Sequence, residues 1–277
     1  MGTQRFSWPG MVLLLLIPAP LIIVFIVSLS DSPYIEFPPS SYSFRWYIEL
    51  FTSPKWMKAF FTSFIIALGA AVFTTTIALL AALALHRGQS GWKSTFELLI
   101  LMPLIFPHAA LGVGFMTGLL AMGMNGTMFG LLLVHTIICG PFAYRPIAIS
   151  LEKMDPELVE AAMSLGADSR TAIRKVVLPL LKPGLVTSLL FGFIISFDEI
   201  TISMFLVSPD VMTLPVSIYS HVHDSADPIV AAISSLLIVI TVLIVVTVER
   251  YVGLEVFVNE SGSTGQEQNA RGKAAST

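Results

Sequence analysis

Charge is scarce in this chain. Asp, Glu, Lys and Arg supply 12% of its 277 residues, about half the ~25% of an ordinary soluble domain. Fifteen Lys and Arg against eighteen Asp and Glu leave a net charge of −3, so the basic surface of a nucleic-acid binder is missing. Cysteine is reduced to Cys139, inside an apolar run, which excludes a disulfide scaffold or a cysteine metal cluster. Catalytic signatures are lacking as well. No G-x-x-x-x-G-K-[ST] phosphate loop occurs, so the chain does not hydrolyse ATP itself. Neither a G-x-S-x-G elbow nor an H-E-x-x-H site is present, and nothing calls for a cofactor. What remains is apolar: 55% of the residues are hydrophobic and the mean hydropathy is +0.83. These residues are clustered, and the composition is that of a polytopic membrane protein.

Crossing ~30 Å of hydrocarbon takes about 18 or more residues with few or no charges. Phe6–Ser30 and Ala59–Leu85 qualify directly. Leu98–Tyr144 has no Asp, Glu, Lys or Arg over 47 residues, too many for one helix, and Gly123-Met124-Asn125-Gly126 near its middle reads as a tight turn. Pro183–Val207, interrupted by Asp198 and Glu199, and Ile229–Val248 complete the set. The expectation is an all-α chain with six transmembrane helices at about 8–30, 60–85, 98–122, 127–149, 184–207 and 229–250. They form one domain over 1–258, with a polar loop at 150–182. The Ser/Gly/Gln/Asn-rich stretch 259–277 reads as a disordered tail. Arg5 before an apolar run loosely resembles a signal peptide, but the run exceeds the usual 7–15 residues, so a retained helix is expected.

Basic residues set the orientation. The N-terminus, the loop with Arg87 and Lys93, the connection from Arg145 to Lys182 and the tail together carry twelve Lys and Arg, against three on the opposite side, Arg45, Lys55 and Lys58. Both termini and the 150–182 loop are therefore expected in the cytoplasm, and the Ser208–Pro228 loop outside.

Within the cytoplasmic loop, Asp155-Pro156 is a helix start, with Asp as N-cap and Pro at the first position. Leu158, Ala161, Ala162 and Leu165 recur at helical spacing and Gly166 fits the C-cap. A helix of about ten residues is too short to stand alone, so its apolar face needs a partner. A second short helix is expected from Ser169, stopping before Leu178-Pro179. Glu160-Ala161-Ala162, three residues, Gly166, nine residues and then Val176-Val177-Leu178-Pro179 resembles the EAA motif of ABC-importer permease subunits, with Val176 in place of Ile as the one departure. In that family the loop is a coupling helix that docks on the ATPase subunit. The resemblance implies the type I importer permease fold in a bacterial inner membrane. It also implies partners: two ABC ATPase subunits, a second permease, a periplasmic solute-binding protein and membrane lipid, with no nucleic acid. Glu160, Ala161, Ala162, Gly166, Leu178 and Pro179 are the implied coupling residues. Ser196-Phe197-Asp198-Glu199, followed by Leu214-Pro215 and Ile218-Tyr219, resembles the second permease of spermidine/putrescine-type importers; a polyamine or similar cationic amine is the implied solute, and another small solute is the alternative, since related permeases share the fold.

Asp198 falls roughly 22 Å along span five at 1.5 Å per residue, in the outer half of the membrane. A carboxylate there costs at least ~2.5–3.5 kcal/mol, so it should face protein, water or substrate. Next to it, Glu199 is turned by about 100° on a helix, so the two point apart. Cation attraction in the pathway and pairing or capping at a broken helix both remain open for these acids. His108 and His135 lack metal-ligand neighbours and read as packing or pore polar groups, while His221, His223 and Asp224 read as a solvated loop. Arg145 reads as an interfacial anchor. Gly112, Gly114 and Gly118 read as a close-packing surface. The other class of function is an ion-gradient transporter with Asp198 or Glu199 carrying a proton, but such folds show internal repeats and none is found here.

Overall fold

The computed structural model describes residues 16–87, 93–225 and 227–252. The first part of the 8–30 span and the 259–277 tail lie outside the described residues. Among the described residues there is no strand, only an isolated bridge between Ser30 and Tyr42. The helices are α1 (Ala19–Ser28), α2 (Arg45–Thr52), α3 (Pro54–Arg87), α4 (Lys93–Leu101), α5 (His108–Ala121), α6 (Met128–Ile138), α7 (Gly140–Glu152), α8 (Pro156–Ser164), α9 (Lys182–Asp198), α10 (Leu214–Asp224) and α11 (Ile229–Val252).

Helix α3 is the spine. Its 34 residues reach about 51 Å at 1.5 Å per residue, and the three apolar clusters of the core lie along it. Trp56 and Ala59 join Trp46, Leu214 and Ile233 at one end. Ile66 packs with Leu131, Val134, Cys139 and Ile202 in the middle. Ala78 and Ala82 meet Tyr144, Ile147 and Leu181 at the other end. Outside these clusters large apolar side chains such as Ile65, Phe73 and Leu80 stand exposed, as lipid-facing positions do. At the Trp56 end the Tyr47 hydroxyl lies 2.7 Å from both Ser28 Oγ and Ser235 Oγ, tying α1, α2 and α11 together.

Only α3 and α11 are long and apolar enough to cross unbroken among the described residues. The runs read as continuous spans at 98–122 and 127–149 are bent. The α4 side meets α5 at 102°, and α6 meets α7 at 43°. The polar loop meets α9 at 67°. Each break lies just before or at a proline, Pro107, Pro141 or Pro183, which has no N–H to donate and crowds the preceding turn. The 184–207 run is also interrupted. Helix α9 ends at Asp198, Glu199 is extended at φ −70° and ψ 114°, and a single turn at Ser203–Leu206 follows. The expected turn at 123–126 is present, with Gly123 and Gly126 at φ +68° and +74°, values that glycine adopts without a Cβ clash.

What positions α9 is a stripe of small residues. Gly184, Ser188, Gly192 and Ser196 recur every four residues and all are buried, so one face lets neighbouring backbones come close. A Cβ on Gly184 would sit 2.8 Å from the Pro146 carbonyl oxygen of α7, and one on Gly192 would sit 3.1 Å from Ala71 Cα of α3. The Ser188 hydroxyl donates to the Ala143 carbonyl. The glycines singled out in α5 behave differently. Gly112 faces the Phe205 ring, but nothing lies within 4 Å of a Cβ at Gly114 or Gly118.

Candidate functional site

The polar loop folds from its caps. Asp155 Oδ1 accepts the Glu157 N–H at 2.9 Å, and Pro156 at the first position loses no hydrogen bond. At the other end Gly166, at φ +90°, closes a Schellman motif: its N–H donates to Met163 O and the Ala167 N–H to Ala162 O. Leu165 is thus the C-cap and Gly166 the residue after it. No residue of α8 is buried. Leu158 and Met163 are exposed and Leu165 is 90% exposed, so the apolar face has no cover among the described residues; of α8, Val159 alone reaches the cluster around Ala78 and Tyr144. Glu160 and Ala161 are exposed on the same helix and Ala162 is half-buried. Asp168 then accepts the Thr171 N–H at 3.2 Å, and the Thr171 side chain, with this backbone bond second, holds its carboxyl below the ordinary value. The second helix does not stop before Leu178-Pro179. Ser169–Ala172 runs into a π turn at Ile173–Val177 and on through Leu178–Leu180; the π turn sits just ahead of Pro179, whose missing N–H and ring disrupt the regular α-helical ladder. The break comes at Leu181.

The second candidate site is the end of α9. Here the two acids part company. Glu199 is buried: its Oε1 accepts the Ile202 N–H at 2.8 Å, and its Oε2 lies 3.5 Å from His108 Nδ1. Its carbonyl oxygen accepts the Ser203 hydroxyl at 2.9 Å. It thus caps the turn that follows a broken helix, and the expected 100° helical relation to Asp198 does not hold.

His135, 1% exposed, braces that turn from α6. Its Nδ1 is 2.8 Å from Ser196 Oγ and its Nε2 is 3.0 Å from Ser203 Oγ. Since Ser203 already donates to Glu199, it accepts from Nε2–H, and Nδ1 accepts from Ser196. That network assigns one neutral tautomer with both nitrogens satisfied. No sequence signal joins His135 to serines more than sixty residues away.

Asp198 is exposed and makes no hydrogen bond or ion pair among the described residues. It lines two cavities. One, of about 290 Å³, also holds His108, Glu199, Thr201 and Phe142; the other, of about 310 Å³, is walled by phenylalanines. Among the described residues no group of three His, Cys, Asp or Glu is placed to hold a metal. On α10, His223 and Asp224 are exposed, as the solvated reading expects, and His221 departs from it. His221 Nε2 is 2.9 Å from Asp227 Oδ2 and its ring packs edge-on against Trp56, while His223 packs on Tyr219. Arg145 is exposed on α7.

Residues 75–252 match the family described as the binding-protein-dependent transport system inner membrane component. The spermidine/putrescine transport system permease protein PotC of Haemophilus influenzae is 31% identical over 74% of this chain and 80% of its own. The putrescine transport system permease protein PotI of Escherichia coli K12 is 28% identical over 84% of this chain and 86% of its own. Among solved structures, a chain of a bacterial ABC transporter involved in alginate import superposes with a TM-score of 0.70 at 18% identity, covering 91% of this chain and 99% of that one. At that identity the likeness establishes the fold, an all-α permease fold. The chain therefore belongs to the inner membrane components of binding-protein-dependent transport systems, as a multi-pass translocation subunit and not an enzyme.

Proposed function

We propose that this permease carries a small cationic amine, of the spermidine or putrescine kind, past Asp198, driven by a separate ATPase that docks on α8. Asp198 carries the reading: it is an exposed carboxylate with no partner among the described residues, at the end of a helix whose neighbouring acid is fully engaged. A carboxylate in that position supplies the attraction that an apolar pathway lacks for a dehydrating ammonium ion. The names of the relatives, spermidine/putrescine and putrescine permeases, agree with an amine. Docking on α8 is supported by its uncovered Leu158, Met163 and Leu165 beside Glu160, with Leu178 and Pro179 in the segment that ends at the 67° bend. Any tilt of α8 is passed through that bend into α9. The excess of twelve basic residues over three supports a cytoplasmic location for both termini and α8. A second permease and a periplasmic solute-binding protein complete the assembly.

Uptake of spermidine, putrescine, a neutral amino acid and sulfate, with intact and ATPase-dead partners, tests this. Amine-selective, ATP-dependent uptake that Asp198→Asn weakens for amines alone is the expected result. Equal loss for a neutral solute makes Asp198 structural, and uptake indifferent to the ATPase removes the coupling role of α8.

A further inference from the structure

The second cavity at Asp198 differs in chemistry from the first. Phe60 and Phe64 of α3 and Phe193 and Phe197 of α9 form a closed cycle of ring contacts, with centroids 5.6 to 6.2 Å apart around it. This quartet lines one side of the roughly 310 Å³ cavity, and Leu237, Ile240, Thr241 and Ile244 of α11 line the other. Asp198 is the single charged group in the lining. Phe60, Phe197 and Leu237 all pack against the outer apolar cluster, so the carboxylate stands at the outer end. From Leu237 to Ile244 the groove extends inward by about 10 Å at 1.5 Å per residue.

A carboxylate at the mouth of an aromatic and aliphatic groove matches one kind of molecule. An ammonium head gains the charge of Asp198 and the ring quadrupoles, and an apolar tail gains burial along the groove. A diamine does not fit in the same way, because its second charge would lie among Leu, Ile and Phe with no acid to meet it. We propose that the cavity between α3, α9 and α11 is a binding site for an organic monoammonium ion with an apolar tail, its head at Asp198. The site rests on the reading of Asp198 as a free carboxylate that faces cations. An occupant would compete with cargo for that group.

The direct experiment is binding of radiolabelled n-octylammonium to the assembled transporter in lipid nanodiscs, with shorter n-alkylammonium ions as competitors. Binding is expected to be saturable and to tighten about fourfold per added methylene until the groove is full. Asp198→Asn should weaken it at least tenfold. Thr241→Phe and Ile244→Phe, which fill the groove without touching the acid, should abolish the dependence on chain length. Non-saturable uptake of the probe, or equal binding in wild type and both groove-filling variants, overturns the proposal by assigning the probe to the bilayer. Binding needs no cargo, so loss of amine selectivity in transport with octylammonium binding intact refutes the cargo reading and upholds this site.

Discussion

Adding one methyl group at four glycines separates the helix contacts that hold α9 from those that do not. At Gly184 the new Cβ would lie 2.8 Å from the Pro146 carbonyl oxygen, and at Gly192 3.1 Å from Ala71 Cα. Both obstacles are backbone atoms, which cannot rotate away as a side chain can. Overpacking of that kind costs about 1–3 kcal/mol, so Gly184→Ala should fall near the upper end of that range and Gly192→Ala nearer 1 kcal/mol. Gly114 and Gly118 have nothing within 4 Å, and alanine there gains up to about 1 kcal/mol of helix propensity. The predicted order of stability is Gly114→Ala and Gly118→Ala at or above wild type, then Gly192→Ala, then Gly184→Ala. Thermal unfolding of the detergent-solubilised chain, followed by helical circular dichroism, reads the order directly. A Gly184→Ala protein as stable as wild type, or a Gly114→Ala protein as weak as Gly184→Ala, would refute the assignment of the small-residue stripe as the seam between α3, α7 and α9. Because α9 carries Asp198 at its end, the two destabilising variants should also depress transport, whereas Gly114→Ala should not.

Other outcomes follow from the same geometry. Charge reversal at Glu160 or Leu165→Asp should uncouple ATP hydrolysis from uptake while leaving the unfolding temperature unchanged, since no residue of α8 is buried; a matching loss of stability would make α8 structural. His135→Ala removes two hydrogen bonds of about 1 kcal/mol each and leaves a cavity, so it should destabilise the chain by more than 2 kcal/mol, and a neutral result would remove its bracing role. His221→Ala should cost about 1–2 kcal/mol through its bond to Asp227, measured by the same melting assay. The Asp168 carboxyl is held below its ordinary value by the Thr171 bonds. Its cap is therefore fully present above the ordinary carboxylate range and fades as pH falls through the lowered value. Amide exchange at Thr171 should quicken, relative to the intrinsic rate, only under that acidic condition.

Membrane residence and the EAA-type loop were legible because they depend on runs and spacings along the chain. An apolar run long enough to cross a bilayer is a local property, and so is the Asp155–Gly166 capping pattern, which fixes both ends of α8 whatever surrounds it. The straightness of the spans was less legible. Pro107, Pro141 and Pro183 are visible in the sequence, yet a membrane helix can absorb a proline when neighbours satisfy the freed backbone. His221 was misread for a related reason, since it finds Trp56 and Asp227 only after α10 folds back across the end of α3.

The sequence by itself determined that this is a helical membrane protein with a short, capped helix in its polar loop, and the EAA-type spacing there marked its resemblance to importer permeases. Patterns of hydropathy, charge and caps act within a few turns of chain, where the physics needs no knowledge of distant segments. Only the tertiary structure decided between Asp198 and Glu199. The two are adjacent, chemically alike and equally costly to bury, and what separates them is the end of α9 between them. Glu199 turns back onto the Ile202 amide and towards His108, held by a histidine from another helix, and Asp198 is left facing open space. That division is made by contacts between residues tens of positions apart.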